Sequence, residues 1–136
     1  MKPIYSSIDT GFALPDISEF EKAITPKTKA ICCISPGNPT GRVLTIEDMK
    51  LIGQIAKEHD LWIIADEVYR EFAYDDREVT SFGMIDEIKD RVIIVDSVSK
   101  RFSACGARIG CIVSKNKEFM EGIMKIAQGR LCVPTL

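Results

Sequence analysis

A chain of 136 residues, 46% hydrophobic and 28% charged, has room for one compact core and too little length for two comfortable domains. Its formal net charge of −2 leaves no basic footprint for nucleic acid or an anionic membrane surface, and no apolar run is long enough to span a bilayer. The amino end, Met1-Lys-Pro-Ile-Tyr5, lacks the apolar core of a signal peptide, and five cysteines (Cys32, Cys33, Cys105, Cys111, Cys132) without metal-ligand spacing read as reduced thiols of a cytoplasmic protein.

Residues 4 to 9 suit a short strand. Asp16-Ile-Ser-Glu19 then reads as a capping box opening a helix with Ile17, Phe20 and Ile24 on one face, ended by Thr25-Pro26. Ala30-Ile-Cys-Cys-Ile34 is a buried strand by length and branching, followed by Ser35-Pro-Gly-Asn-Pro-Thr-Gly41, a loop with two prolines and two glycines. Thr45-Ile-Glu-Asp48 caps the next helix, with Met49, Ile52, Ile55 and Ala56 turned inward and His59, the only histidine, near its end. A lone His there meets the helix dipole and is assigned no chemistry. Residues 61 to 65 form another buried strand, closed by Asp66-Glu-Val-Tyr69; residues 82 to 89 suggest a short helix, 92 to 96 a strand, 109 to 113 another, and 116 to 130 a helix using Phe119, Met120, Ile123, Met124 and Ala127.

This alternation predicts a three-layer α/β domain, a mainly parallel sheet with helices on both faces. Only about a dozen loop-like residues separate Asp96 from Ile109, too few for a helical crossover, so the last strand is expected to return antiparallel. The carboxyl ends of parallel strands share one edge, which gathers Asn38, Asp66 with Tyr69, and Ser97 with Lys100 on one rim. Each has an ordinary explanation alone: a turn former, a strand-end cap, a solvated loop lysine. Lys100, held in a polar turn with Ser97, Ser99 and Arg108 near it, suits a phosphate-bearing aldehyde cofactor. An apolar strand ending in Asp-Glu also occurs in phosphate-loop nucleotidases. That reading needs Gly-x-x-x-x-Gly-Lys-Ser/Thr, which the chain lacks, and Pro36 and Pro39 remove backbone donors from its Gly-rich loop.

Pro36-Gly-Asn-Pro-Thr-Gly41, Asp66-Glu-Val-Tyr69, and Ser97-Val-Ser-Lys100 with Gly106-Ala-Arg-Ile-Gly110, in this order and at these gaps, resemble the class I/II aminotransferases, fold-type-I pyridoxal-phosphate enzymes that include aspartate aminotransferase. The resemblance implies an enzyme that transfers an amino group from an amino acid to a 2-oxo acid, a homodimer in its complete form, with pyridoxal 5′-phosphate as cofactor and no metal. It implies that Lys100 forms the Schiff base and moves the substrate proton, and that Asp66 pairs with the ring nitrogen. Tyr69 and Asn38 would bond the phenolic oxygen, and Arg108 and Ser97 the phosphate, with Ser99 a weaker candidate. It also implies a cis Asn38-Pro39 peptide.

The family's phosphate loop, its ring-stacking aromatic and the arginine that binds substrate carboxylate do not lie in residues 1 to 136, which resemble the middle of the large domain; a fragment is expected. Substrate choice is not legible. The alternatives are a carbon–sulfur lyase of the same fold, which carries Asp-Glu-Ile-His where this chain has Asp-Glu-Val-Tyr69, and the cofactor-sensing domain of a transcription regulator.

Overall fold

The β-branched runs assemble as a four-stranded sheet in a computed structural model that describes residues 1–130. β1 (Ala30–Ile34), β2 (Trp62–Asp66) and β3 (Val92–Ser97) are parallel, and β4 (Gly110–Val113) pairs antiparallel with β3, in the order β1-β2-β3-β4. In register, Ile34 lies opposite Asp66, Asp66 opposite Val95, and Ser97 opposite Gly110.

Four helices accompany the strands: α1 (Ile17–Ala23), α2 (Ile46–Glu58), the single-turn α3 (Val98–Arg101) and α4 (Lys117–Arg130). Met49, Ile52 and Ala56 of α2 meet Cys33, Ile63, Ala65 and Val92 of the sheet, with Phe82, Ile85 and Ile88 closing the same cluster. The opposite face carries Trp62, whose ring lies 5.2 Å from that of Phe119 on α4. Alternate residues of β2 thus address helices on the two faces, as a strand of a three-layer domain must. The inward set expected for α2 is buried throughout. On α4, Phe119, Met120, Ile123 and Ala127 are only half-buried, and Met124 is exposed.

Local chemistry corrects four expectations. Residues 4 to 9 form no strand; Ile8–Thr10 is a 3-10 turn, its start capped by Ser7 Oγ accepting from the Asp9 N–H and its end marked by Gly11 at φ +61°. No strand lies beside this segment among the described residues, so side-chain bonds to the local backbone prevail over extension. Glu19 does not complete the box at α1: Asp16 accepts from the Ser18 N–H, while Glu19 pairs with Lys22 at 2.6 Å. The helix expected over 82 to 89 is two 3-10 turns, Phe82–Met84 and Lys89–Arg91. The buried Phe82, Ile85 and Ile88 recur every third residue, the spacing that a 3-10 turn eclipses on one side. The turn bearing Lys100 is itself helical, because Ser97 Oγ caps α3 by accepting from the Ser99 N–H at 3.3 Å.

Candidate active site

At the carboxyl rim the ladder continues past the strands. Ser35 N–H donates to Asp66 O at 3.1 Å, Glu67 N–H to Val95 O at 3.0 Å, and Val98 N–H to Ile109 O at 3.3 Å. These bonds lock the three motif loops to one another. The loop after β1 is closed further by Gly37 N–H to Arg42 O at 2.8 Å and by Ser35 Oγ, which accepts from the Leu44 N–H at 3.0 Å. Gly37 is required there, since a Cβ would stand 2.9 Å from Thr40 Oγ1. Asn38-Pro39 is cis, as expected, and so is Ser35-Pro36, which the sequence reading did not anticipate.

This frame brings Asn38, Tyr69 and Lys100 together. Asn38 Nδ2 donates to Tyr69 Oη at 3.2 Å, and Lys100 Nζ stands 5.7 Å from the centroid of the Tyr69 ring. Asp66 is half-buried, with one carboxylate oxygen accepting from the Val68 N–H at 3.1 Å. Ser97 ends the neighbouring strand, two residues beyond Asp66's partner Val95. Arg108 sits two residues before Gly110, which pairs with Ser97, but its guanidinium donates to Cys105 O at 3.0 Å rather than to Ser97. Its φ of +55° turns the chain into β4.

A polar cluster beneath these groups escaped the sequence reading. Asp96, 8% exposed, accepts from Arg70 Nη2 at 2.9 Å and Arg101 Nη2 at 2.8 Å on the same oxygen, while its other oxygen accepts from the Ser97 N–H at 2.7 Å. Glu67, 2% exposed, accepts from Ser81 Oγ at 2.8 Å and the Phe82 N–H at 3.0 Å, and its second oxygen lies 3.8 Å from Arg70 Nη1. Burial raises the Glu67 carboxyl above its ordinary value, against the lowering pull of the Ser81 hydroxyl, the Phe82 amide and Arg70. The legible signal was a carboxylate ending an apolar strand five residues before an arginine that follows Lys100.

The rim's cations therefore divide. Arg70 and Arg101 share Asp96 and are further paired with Glu67 and Glu71, whereas Lys100 and Arg108 form no salt bridge among the described residues. Two uncommitted cations, a hydroxyl, a half-buried carboxylate and an amide–phenol pair form a donor set that fits a phosphorylated, aldehyde-bearing pyridine. No cluster of metal-ligating side chains occurs among the described residues.

The fold is a mainly parallel α/β sheet with its motif loops meeting at the carboxyl rim. A family model described as aminotransferase class I and II matches residues 5–136, and the chain belongs to that family. Pyridoxal 5′-phosphate is the cofactor of this family. The chain is 32% identical over 136 residues to an aspartate aminotransferase of Bacillus subtilis, covering 98% of the chain and 34% of that protein. It is 42% identical over 98 residues to aromatic-amino-acid aminotransferase 2 of Thermococcus litoralis, covering 72% of the chain and 25% of that protein. Its structure superimposes on the aromatic aminotransferase of Pyrococcus horikoshii with a TM-score of 0.85 at 36% identity, over 95% of this chain and 34% of that one. The chain thus spans from a quarter to about a third of the length of these relatives.

Proposed function

We propose that residues 1–136 are part of the cofactor-binding large domain of a pyridoxal-phosphate-dependent aminotransferase, which moves an amino group from an amino acid to a 2-oxo acid in the manner of aspartate aminotransferase. The observation that carries the reading is the convergence of Asn38, Tyr69 and Lys100 on the rim that also carries Asp66, where Lys100 and Arg108 form no salt bridge among the described residues. Relatives named as aspartate and aromatic aminotransferases support the reaction class. Unpaired Cys32, Cys33, Cys105 and Cys111 support a reducing cytoplasmic setting, and the family resemblance supports a homodimer.

When bound, pyridoxal phosphate supplies an aldehyde conjugated to an electron-withdrawing ring. Lys100 would hold the cofactor through its Nζ and would serve as the base that moves the substrate Cα proton. Asp66 would pair with the ring nitrogen, where a carboxylate favours the protonated, electron-withdrawing ring. The Tyr69 hydroxyl and the Asn38 amide would bond the ring oxygen. Their mutual 3.2 Å hydrogen bond orients both groups beforehand. Arg108 and the Ser97 hydroxyl would hold the phosphate, for which Arg108 would have to leave its present contact with the Cys105 carbonyl.

Two substitutions in the complete protein test these roles. Lys100→Ala should abolish transamination, and Asp66→Ala should retain bound cofactor while slowing Cα proton abstraction by about 10²-fold or more, the cost typical of removing one fixed electrostatic stabiliser. Proton exchange at Cα, followed by NMR in deuterated water, reads the step directly. Parent-like rates in Asp66→Ala would remove that residue from the mechanism.

A further inference from the structure

Asp96 touches neither of the ring-facing turns' functional side chains, yet it ties the two turns together. Arg70 follows Tyr69 and closes the turn begun at Asp66, with its own N–H donating to Glu67 O at 2.9 Å. Arg101 follows Lys100 and is the last residue of α3. Both guanidinium groups converge on a single oxygen of Asp96, at 2.9 and 2.8 Å, and the other oxygen holds the Ser97 N–H at 2.7 Å. The carboxylate is 8% exposed, so water competes weakly for these charge-assisted bonds. Arg70 also stands 3.8 Å from Glu67 and Arg101 Nε 3.4 Å from Glu71, which surrounds the two cations with carboxylates.

We propose that Asp96 is a positioning residue: the Arg70–Asp96–Arg101 clamp sets the separation between the segment that carries Lys100 and the segment that carries Asp66 and Tyr69. The proposal deepens the aminotransferase reading and rests on it. A four-residue helix has too few internal hydrogen bonds to hold a fixed orientation by itself. The backbone bonds around Lys100 are Phe102 N–H to Val98 O at 3.1 Å and Ser103 N–H to Lys100 O at 3.2 Å. Arg101 lies between those donors and acceptors, so fixing its guanidinium on Asp96 fixes the backbone from which Lys100 projects. Arg70 does the same for the turn after β2. Small errors in the placement of a reacting amine cost large factors in rate, so such a clamp is felt in chemistry before binding.

The test uses the complete protein and three variants, Asp96→Asn, Arg101→Gln and Arg101→Lys. Arg101 is partly exposed, so its variants keep the test open should the change at buried Asp96 prevent folding. Hydrogen exchange of the cofactor-free protein should be about tenfold faster at the amides of Phe102 and Ser103 in Arg101→Gln, with the amides of β2 unchanged. With cofactor, kcat should fall about tenfold or more while KM for the amino acid stays within about twofold, and Arg101→Lys, which restores one charged bond, should recover part of the loss. A purely structural residue would lower the melting temperature without that split. Borohydride trapping on the parent separates the two claims. A parent not labelled at Lys100 overturns the aminotransferase reading, whereas a labelled parent whose Arg101→Gln variant keeps exchange rates or kcat within about twofold overturns the clamp.

Discussion

Glu67 and Asp66 are adjacent carboxylates with opposite environments, and the alternation of a strand explains the difference. Asp66 is left half-buried at the rim, while Glu67 turns into the protein, 2% exposed, under Ser81 and Phe82. Burial raises the Glu67 value above its ordinary 4.5. For an acid whose folded value is raised, the stabilising contribution is present below the unfolded value and lost as pH rises through the folded one. Relative to Glu67→Gln, which keeps an acceptor for Ser81 but sheds the charge, the parent should therefore lose stability as pH rises from the ordinary carboxyl range toward neutrality. Urea unfolding of both proteins across that range measures the gap; a gap that stays constant or moves the other way would refute the assignment. The neighbouring Cys33 thiol is pushed up to about 12, first by burial and then by Cys32, so it behaves as a small core hydrophobe.

At the scale of elements, α2 shows sequence and structure agreeing bond for bond. Thr45 Oγ1 accepts from the Asp48 N–H at 3.1 Å, Asp48 Oδ2 accepts from the Thr45 N–H at 3.0 Å, and Arg42 Nη2 pairs with the same oxygen at 2.7 Å. Asp48→Ala should cost about 1–2 kcal/mol, within the usual value of a cap and somewhat more than an uncharged one. Thermal unfolding checks it, and an unchanged melting temperature would mean that the box is dispensable. The helix was legible because its cap is local and its apolar period is long. The turns at 82–84 and 89–91 were not, since Phe82, Ile85 and Ile88 satisfy three-residue and mixed helical spacing equally over so short a stretch. The gathering of Asn38, Asp66, Tyr69, Ser97 and Lys100 on one rim was legible, because parallel strands must deliver their ends to one edge. The Asp96 cluster was legible only in part: Arg101 lies five residues after Asp96, whereas Arg70 comes from 26 residues before it and nothing local marks it as a partner. Gly110 is tied to the same place, as a Cβ there would lie 3.1 Å from Asp96 O.

Across the whole molecule, β1 pairs only with β2 and β4 only with β3 among the described residues, which leaves both flanks of the sheet with unpaired backbone groups. Exposed apolar side chains lie on those same edges, Ile34 at 45%, Ile112 at 40% and Val113 at 49%. Open, apolar strand edges are templates for pairing with another chain. Residues 1–136 produced alone should therefore associate with rising concentration in sedimentation velocity, and a monodisperse monomer throughout would contradict this. The expected strand over residues 4 to 9 belongs to the same scale, because an extended segment needs a neighbour to bond and none of the described strands lies beside it.

In the complete protein this rim should carry pyridoxal phosphate on one particular amine, Lys100. Borohydride reduction of the complete protein with its cofactor, followed by proteolysis and mass mapping, reads the attachment point directly. The expected result is a pyridoxyl label on Lys100 alone, lost in Lys100→Ala. A label on Lys115 or Lys117, or none on residues 1–136, would contradict the account.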